Sequence, residues 1–309
     1  MTQSPEITPK SWLMVCILGV TWGSTFLVME LALRGMTPAW LAASRLSLAG
    51  LLMVAIQLYR RAPLFIDPDG PRPWGALIVS ALLSTAIPFN LLSWGQQYVT
   101  SGFAGVSMAA VALIVLPLAH FFVPGDRMTP RRVIGFGIGF VGVVVLIGGQ
   151  ALTSSGLVLE PLGRLACLGA ASCYAISTII MRRLPAVDAV NLAGAMLLIG
   201  AVVALPGAWI VEGPPRIPPK ETLIWVILLG LVPTAGANIL RVIVVRQAGP
   251  VFMSITNYIV PVFSVIAGWL ILSEPLPGSL IWAMLLIMAG VGLSQYGALR
   301  RLFTRKQIA

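Results

Sequence analysis

A chain of 309 residues that is 58% hydrophobic and only 10% charged, with a mean hydropathy of +0.95, cannot hide its apolar surface as a water-soluble globule. Its formal charge of +10 would suit a nucleic-acid partner, but the Lys and Arg residues cap apolar stretches and form no continuous basic face, which excludes that class. Cys16, Cys167 and Cys173 fall inside apolar stretches without metal-ligand spacing, so no disulfide, metal or other cofactor is expected.

A hydrocarbon core of ~30 Å needs about 20 helical residues. The sequence predicts ten such spans, near 12–33, 38–58, 74–98, 101–122, 131–149, 158–181, 190–211, 221–245, 249–272 and 278–299. The first has an apolar run too long for a signal peptide and is read as retained. It carries Trp22, Ser24 and Thr25, with one acid, Glu30, near its end. The second holds Arg45, within reach of Glu30 for an ion pair that is either structural or a gate. Pro63 to Pro73 then breaks the helix, and the third span follows with Pro88, Asn90, Trp94 and Gln97.

The fourth span contains Pro117 and the single histidine, His120, read as a helix-end residue rather than a proton relay. The fifth is marked by Gly135, Gly137, Gly139 and Gly142, small residues that let helices approach closely. Arg164, Tyr174 and Ser177 lie in the sixth. A proline-rich break from Gly213 to Pro219 separates the seventh from the eighth, which holds Pro233, Asn238 and Arg241. Arg164 and Arg241 are expected to snorkel to water along their stems. Thr256, Asn257, Tyr258 and Pro261 lie in the ninth span, and Ala289, Gly290 and Gly292 in the tenth. The small residues make spans five and ten the expected scaffold.

Basic residues are retained on the cytoplasmic side of short loops. With the N-terminus inside, 14 of the 20 Lys and Arg residues are cytoplasmic, three (Arg34, Arg216, Lys220) lie outside and three are within spans. Both termini, residues 1–11 and 300–309, are therefore expected in the cytoplasm.

An internal repeat is also legible. Thr21-Trp22-Gly23 before Met29 matches Cys173-Tyr174-Ala175 before Met181, an offset of 152. Pro88 with Asn90 matches Pro233 with Asn238, Pro117 matches Pro261, and Gly142-Val143 matches Gly290-Val291. Five spans per copy is an odd number, so the copies enter the membrane in opposite senses. The fold class expected is thus an all-α integral membrane protein of ten transmembrane helices in two inverted five-helix repeats, 12–149 and 158–299. Inverted repeats are a recurrent architecture of secondary transporters.

Trp22-Gly23-Ser24-Thr25-Phe26, Arg45, Pro117, Pro261 and Glu274-Pro275-Leu276 together resemble the EamA-type members of the drug/metabolite transporter superfamily. The likeness covers nearly the whole chain. It departs from exact symmetry in that Asp126 follows span four where Glu274 follows span nine. The resemblance implies transport of small organic metabolites, frequently export of amino acids, across the cytoplasmic membrane.

Polar groups inside a bilayer are expensive unless they face a cavity or another helix. Their distribution makes spans one, three, six, eight and nine the expected lining. Trp22, Trp94, Tyr174 and Tyr258 would form apolar walls around a substrate, and Ser24, Asn90, Asn238 and Asn257 would orient its polar end. Each has a plainer role in competition: core packing for Trp22, the interfacial belt for Trp94, repair of a proline kink for the asparagines. No carboxylate sits at mid-membrane, which points to movement of substrate down its own gradient. A multidrug or lipid-handling transporter of the same fold is the alternative; a membrane-embedded transferase, lacking a base cluster or metal set, is a distant one. Pairing of two copies is left open by the sequence.

Overall fold

The computed structural model describes residues 7–67, 69–125, 127–148 and 158–304. Among these residues ten apolar helices are long enough to cross a membrane, here numbered in chain order: α1 (Pro9–Leu33), α2 (Pro38–Arg60), α3 (Trp74–Gly95), α4 (Ser101–Phe122), α5 (Pro130–Gly148), α6 (Glu160–Met181), α7 (Ala189–Glu212), α8 (Lys220–Ala248), α9 (Pro250–Leu272) and α10 (Gly278–Arg300). No strand occurs among the described residues, only an isolated bridge between Phe65 and Val187. The chain is an all-α integral membrane protein. Its ends of helix follow the local chemistry: Thr8 and Thr100 cap α1 and α4 through their hydroxyls, Asp188 caps α7 by accepting from the Asn191 N–H, and proline opens α1, α2 and α9.

The two repeats are visible in which helices touch. α2 packs along α7, and α5 along α10, so equivalent helices of the two copies meet their own counterparts. α1 packs on α9 just as its equivalent α6 packs on α4. That exchange is what a pseudo-two-fold axis between the halves produces.

Glycine sets the closest approaches. A Cβ at Gly23 would stand 2.9 Å from Phe263 Cβ, so α1 and α9 meet backbone to side chain there. At the α5–α10 seam, a Cβ at Gly290 would stand 2.5 Å from the Gly139 nitrogen and 2.7 Å from its Cα. Gly135, Gly139 and Gly142 are buried in this seam, as the small-residue pattern suggests. Elsewhere the pattern reaches too far: Gly137 has nothing within 4 Å, Ala289 is exposed, and Gly292 faces Tyr258.

Two spans are broken where proline removes a donor. α3 splits at Thr85 (φ −136°, ψ −82°) into Trp74–Ser84 and Ala86–Gly95. α8 passes through a π-helical segment, Gly230–Gly236, centred on Pro233. Proline at 233 cannot donate to the Leu229 carbonyl four residues back, and Thr234 Oγ1 does so instead at 2.7 Å.

Candidate functional site

The two faces of the bundle are fastened differently. One face carries Arg60, Arg182, Arg183 and Arg246 and is called here the basic face; the other carries Arg34, Glu212 and Glu274. On the latter, two carboxylates of the second repeat cap helices of the first. Glu212 accepts from Thr37 Oγ1 at 2.5 Å and from the N–H groups of Ala39 and Trp40 at 2.9 and 3.1 Å. Glu274 accepts from the Ser101 N–H at 2.8 Å, from its hydroxyl at 3.0 Å and from the Gly102 N–H at 3.1 Å. Each acid thereby meets orphan donors and the positive end of a helix dipole at once. The first turns of α4, from Ser101 to Ser107, are buried on every side behind this contact.

On the basic face, Asp188 receives Arg60 Nη1 at 2.8 Å and Nη2 at 3.1 Å, and Arg246 Nη2 at 3.1 Å. The Arg60 hydrogen bonds, then the Asn191 N–H and Arg246, hold its carboxyl well below the usual carboxylate range. Gln57 and Asn191 join the same α2–α7 contact. No equivalent contact ties α4 to α9 here among the described residues: Asp126 lies outside them. The last turns of α4, from Ile114 to Leu118, are only half-buried.

Between the halves at the basic end, two polar side chains are exposed on helix faces that are otherwise buried. Arg241 lies four residues after Ala237 and three and seven before Val244 and Ala248, all buried, yet its own side chain is exposed while protein surrounds it. Asn257 shares its face with Pro261, Ser264, Val265 and Gly268, all buried, and is exposed likewise. Exposure on a packed face means an internal space that water reaches. Both residues sit seven positions from the basic-face end of their helix, about 10 Å deep.

The remaining candidates are spoken for locally. Trp22 Nε1 donates to the Pro233 carbonyl at 3.1 Å, because the Ala237 N–H that would serve that carbonyl in an α-helix goes to Val232. Asn90 Nδ2 donates to the Ala86 carbonyl at 2.8 Å and Asn238 Nδ2 to the Thr234 carbonyl at 2.5 Å, each four residues back on its own helix. Ser24 Oγ returns to the Thr21 carbonyl and lines a 110 Å³ crevice with Thr25, Val28 and Pro233. That is well below the ~300 Å³ at which ligand pockets begin. Trp94 stacks obliquely on Tyr98, ring centres 5.0 Å apart. Tyr174 is half-buried between the two largest apolar clusters, and the buried Tyr258 hydroxyl has no partner among the described residues.

Two sequence expectations on charged residues are corrected. Arg45 does not pair with Glu30: its Nε donates to Thr234 Oγ1 at 2.6 Å and its guanidinium lies 4.2 Å over the Phe89 ring. Glu30 has Glu274 and Arg34 as its charged neighbours. Arg164 does not snorkel: it is 3% exposed, pairs with Glu160 one turn back and donates to the Ile147 carbonyl at 2.7 Å. Arg241 is exposed, as the expectation that it reaches water requires, on a face it shares with the buried Ala237, Val244 and Ala248. His120 Nδ1 accepts from the Met128 N–H at 3.3 Å, closing the turn after α4. Sequence reasoning misses Arg241 as an interior group; its period-matching with Ala237, Val244 and Ala248 is the signal that could have found it.

The profile of the EamA-like transporter family matches residues 10–148 and again 161–295. The chain belongs to that family. It is 25% identical to "Uncharacterized transporter YoaV" of Bacillus subtilis (strain 168), over 93% of this chain and 98% of that one. It is 26% identical to "Uncharacterized inner membrane transporter YedA" of Escherichia coli (strain K12), over 88% and 89%. A solved crystal structure superposes with a TM-score of 0.67 over 95% of this chain and 99% of the other at 20% identity, a likeness of fold alone. EamA-like architecture thus accounts for both the double match and the exchanged helix contacts. The function at this level is movement of small molecules across a membrane.

Proposed function

We propose that this EamA-like protein is a secondary transporter, and no enzyme, that exports amino acids, aromatic or otherwise amphipathic, by alternating access. The basic face is cytoplasmic on the retention of Lys and Arg there, and the membrane is an inner membrane, as the name of the Escherichia coli relative says of that chain. The observation that carries the reading is the contrast between the ends of the bundle. Carboxylates of one repeat close on helices of the other at one end, while Arg241 and Asn257 meet water inside the other. A pathway open at one end and latched at the other is one of the two states that inverted halves exchange. Tyr174 and Tyr258, both half-buried, are the side chains this reading assigns to its apolar wall.

Purified protein in liposomes loaded with labelled phenylalanine, tryptophan and leucine tests this. Efflux above protein-free liposomes, unchanged by an imposed proton gradient, is expected. Efflux of none of these with export of fluorescent lipophilic cations would replace it with the multidrug reading. Cysteines at Asp67 and Ile217, both exposed, should label from the cytoplasm and from outside respectively; labelling of both from one side would overturn the orientation.

A further inference from the structure

We propose that Arg241 is an anion-binding residue of the transport pathway, so that the substrate enters as a carboxylate or a chemically similar oxyanion. The inference rests on the transporter reading and adds what the transported molecule must carry.

A guanidinium about 10 Å inside a membrane helix is costly unless a counter-ion or a set of carbonyls meets it. Arg45 and Arg164 show how this chain meets that cost elsewhere, with Thr234 and Phe89 for one and Glu160 and the Ile147 carbonyl for the other. Arg241 has no such partner among the described residues. Nor does any acid among the described residues supply one. Asp188 is engaged by Arg60 and Arg246, Glu160 by Arg164, Glu212 by α2 and Glu274 by α4. Glu30 lies beside Glu274 on the opposite face, and Asp67, Asp69 and Glu221 lie in loops or at a helix start. The interior at this level therefore holds a net positive charge.

That charge is aimed inward. Ile243 and Gln247 mark the outward side of α8, while Asn238 and Arg241 fall on its inner quadrant beside α1. Asn257, at the same depth on α9 and likewise exposed on a packed face, carries an amide with both donor and acceptor. A planar fork of five N–H donors matches a carboxylate with two parallel hydrogen bonds, which a lysine in its place would not reproduce. An amphipathic substrate would set its carboxylate on Arg241 and its apolar part against the half-buried aromatic walls.

The test uses full-length protein in nanodiscs and two independent readouts. In the first, Asn257→Cys is made with Cys16 and Cys173 replaced by alanine, and the introduced thiol is titrated with an anionic (sulfonatoethyl) and a cationic (trimethylammonium-ethyl) methanethiosulfonate. Arg241 should favour the anionic reagent, and Arg241→Gln should lower the anion-to-cation rate ratio on the order of tenfold. Arg241→Lys should keep the ratio. In the second, phenylalanine competes against phenethylamine, which lacks the carboxylate, for transport or binding. Phenylalanine should be preferred by wild type, and Arg241→Gln should cut that preference by roughly 10- to 100-fold, with Arg241→Lys recovering only part. A rate ratio unmoved by Arg241→Gln, or an introduced thiol that neither reagent reaches, overturns the anion site even where phenylalanine is exported. A ratio set by Arg241 in a protein that moves no amino acid keeps the anion site and removes the amino-acid reading.

Discussion

Glu274→Gln is the perturbation that bears most directly on the closed end of the bundle. The carboxylate takes three hydrogen bonds from the first turn of α4, at 2.8, 3.0 and 3.1 Å. A glutamine of the same shape keeps one acceptor, turns a donor toward the Gly102 N–H, and removes the charge from the helix N-terminus. Hydrogen bonds to a charged group contribute about 1.5 to 3 kcal/mol each, and the dipole about 0.3 to 1 kcal/mol more. Losing one such bond and the dipole interaction costs about 2 to 4 kcal/mol, and it costs this only in the conformation where α4 and the α9–α10 loop meet. At about 1.4 kcal/mol per factor of ten, the balance between closed and open ends moves by roughly 30- to 700-fold. Spin labels at the exposed Gln97 and Gly278, on opposite repeats at this end, report the change as a distance distribution. The short distance should dominate in wild type and a longer one in Glu274→Gln, with the thermal midpoint little altered. An unchanged distribution in a folded variant would refute the idea that this contact holds the end shut.

Other consequences are sharper in comparison than alone. Asn90→Ala and Asn238→Ala should each lower stability by about 1 kcal/mol at unchanged substrate affinity, because each side chain serves its own helix; Asn257→Ala should weaken affinity at unchanged melting temperature. Calorimetry or thermal-shift data alongside binding would separate them, and the reverse pattern would contradict the site. Arg164→Met should destabilise by about 3 to 5 kcal/mol by removing the cation paired with the buried Glu160 carboxylate, with recovery when Glu160→Gln is added; additive losses in the double variant would show that the pair is uncoupled. Asp188 has a depressed pKa in the folded protein, so its contribution is present at neutral pH and is lost as pH falls below about 4. Asp188→Asn should therefore melt lower than wild type at pH 7, the gap narrowing progressively below about pH 4, and a gap independent of pH would contradict this.

The spans were legible because hydrophobic length is a local property of the chain. Their order, their repeat and the small-residue character of α5 and α10 followed from spacing alone, while the packing of those two helices on each other came with the structure. What the sequence did not expose were contacts whose partner lies far along the chain. Pro88 and Pro233 announced kinks, but nothing nearby told that α8 would slip into a π register and hand the Pro233 carbonyl to Trp22, 211 residues away. Arg45 was near Glu30 by depth, yet depth fixes one coordinate of three, and rotation about α2 turns the guanidinium to Phe89 and Thr234 instead. Arg241 was likewise read by depth, while its face was readable from Ala237, Val244 and Ala248.

Among the described residues the α2–α7 contact is pinned at both ends, by Glu212 on one face and by Asp188 on the other. A rod clamped top and bottom can neither slide nor splay along its length. On the proposed alternating-access reading these two helices are the axle, and the travel is taken up by α4 and α9, where the described contact sits at a single end. Rigid crosslinks between α2 and α7 should accordingly leave turnover standing, whereas a bridge between α4 and α9 should act as a brake.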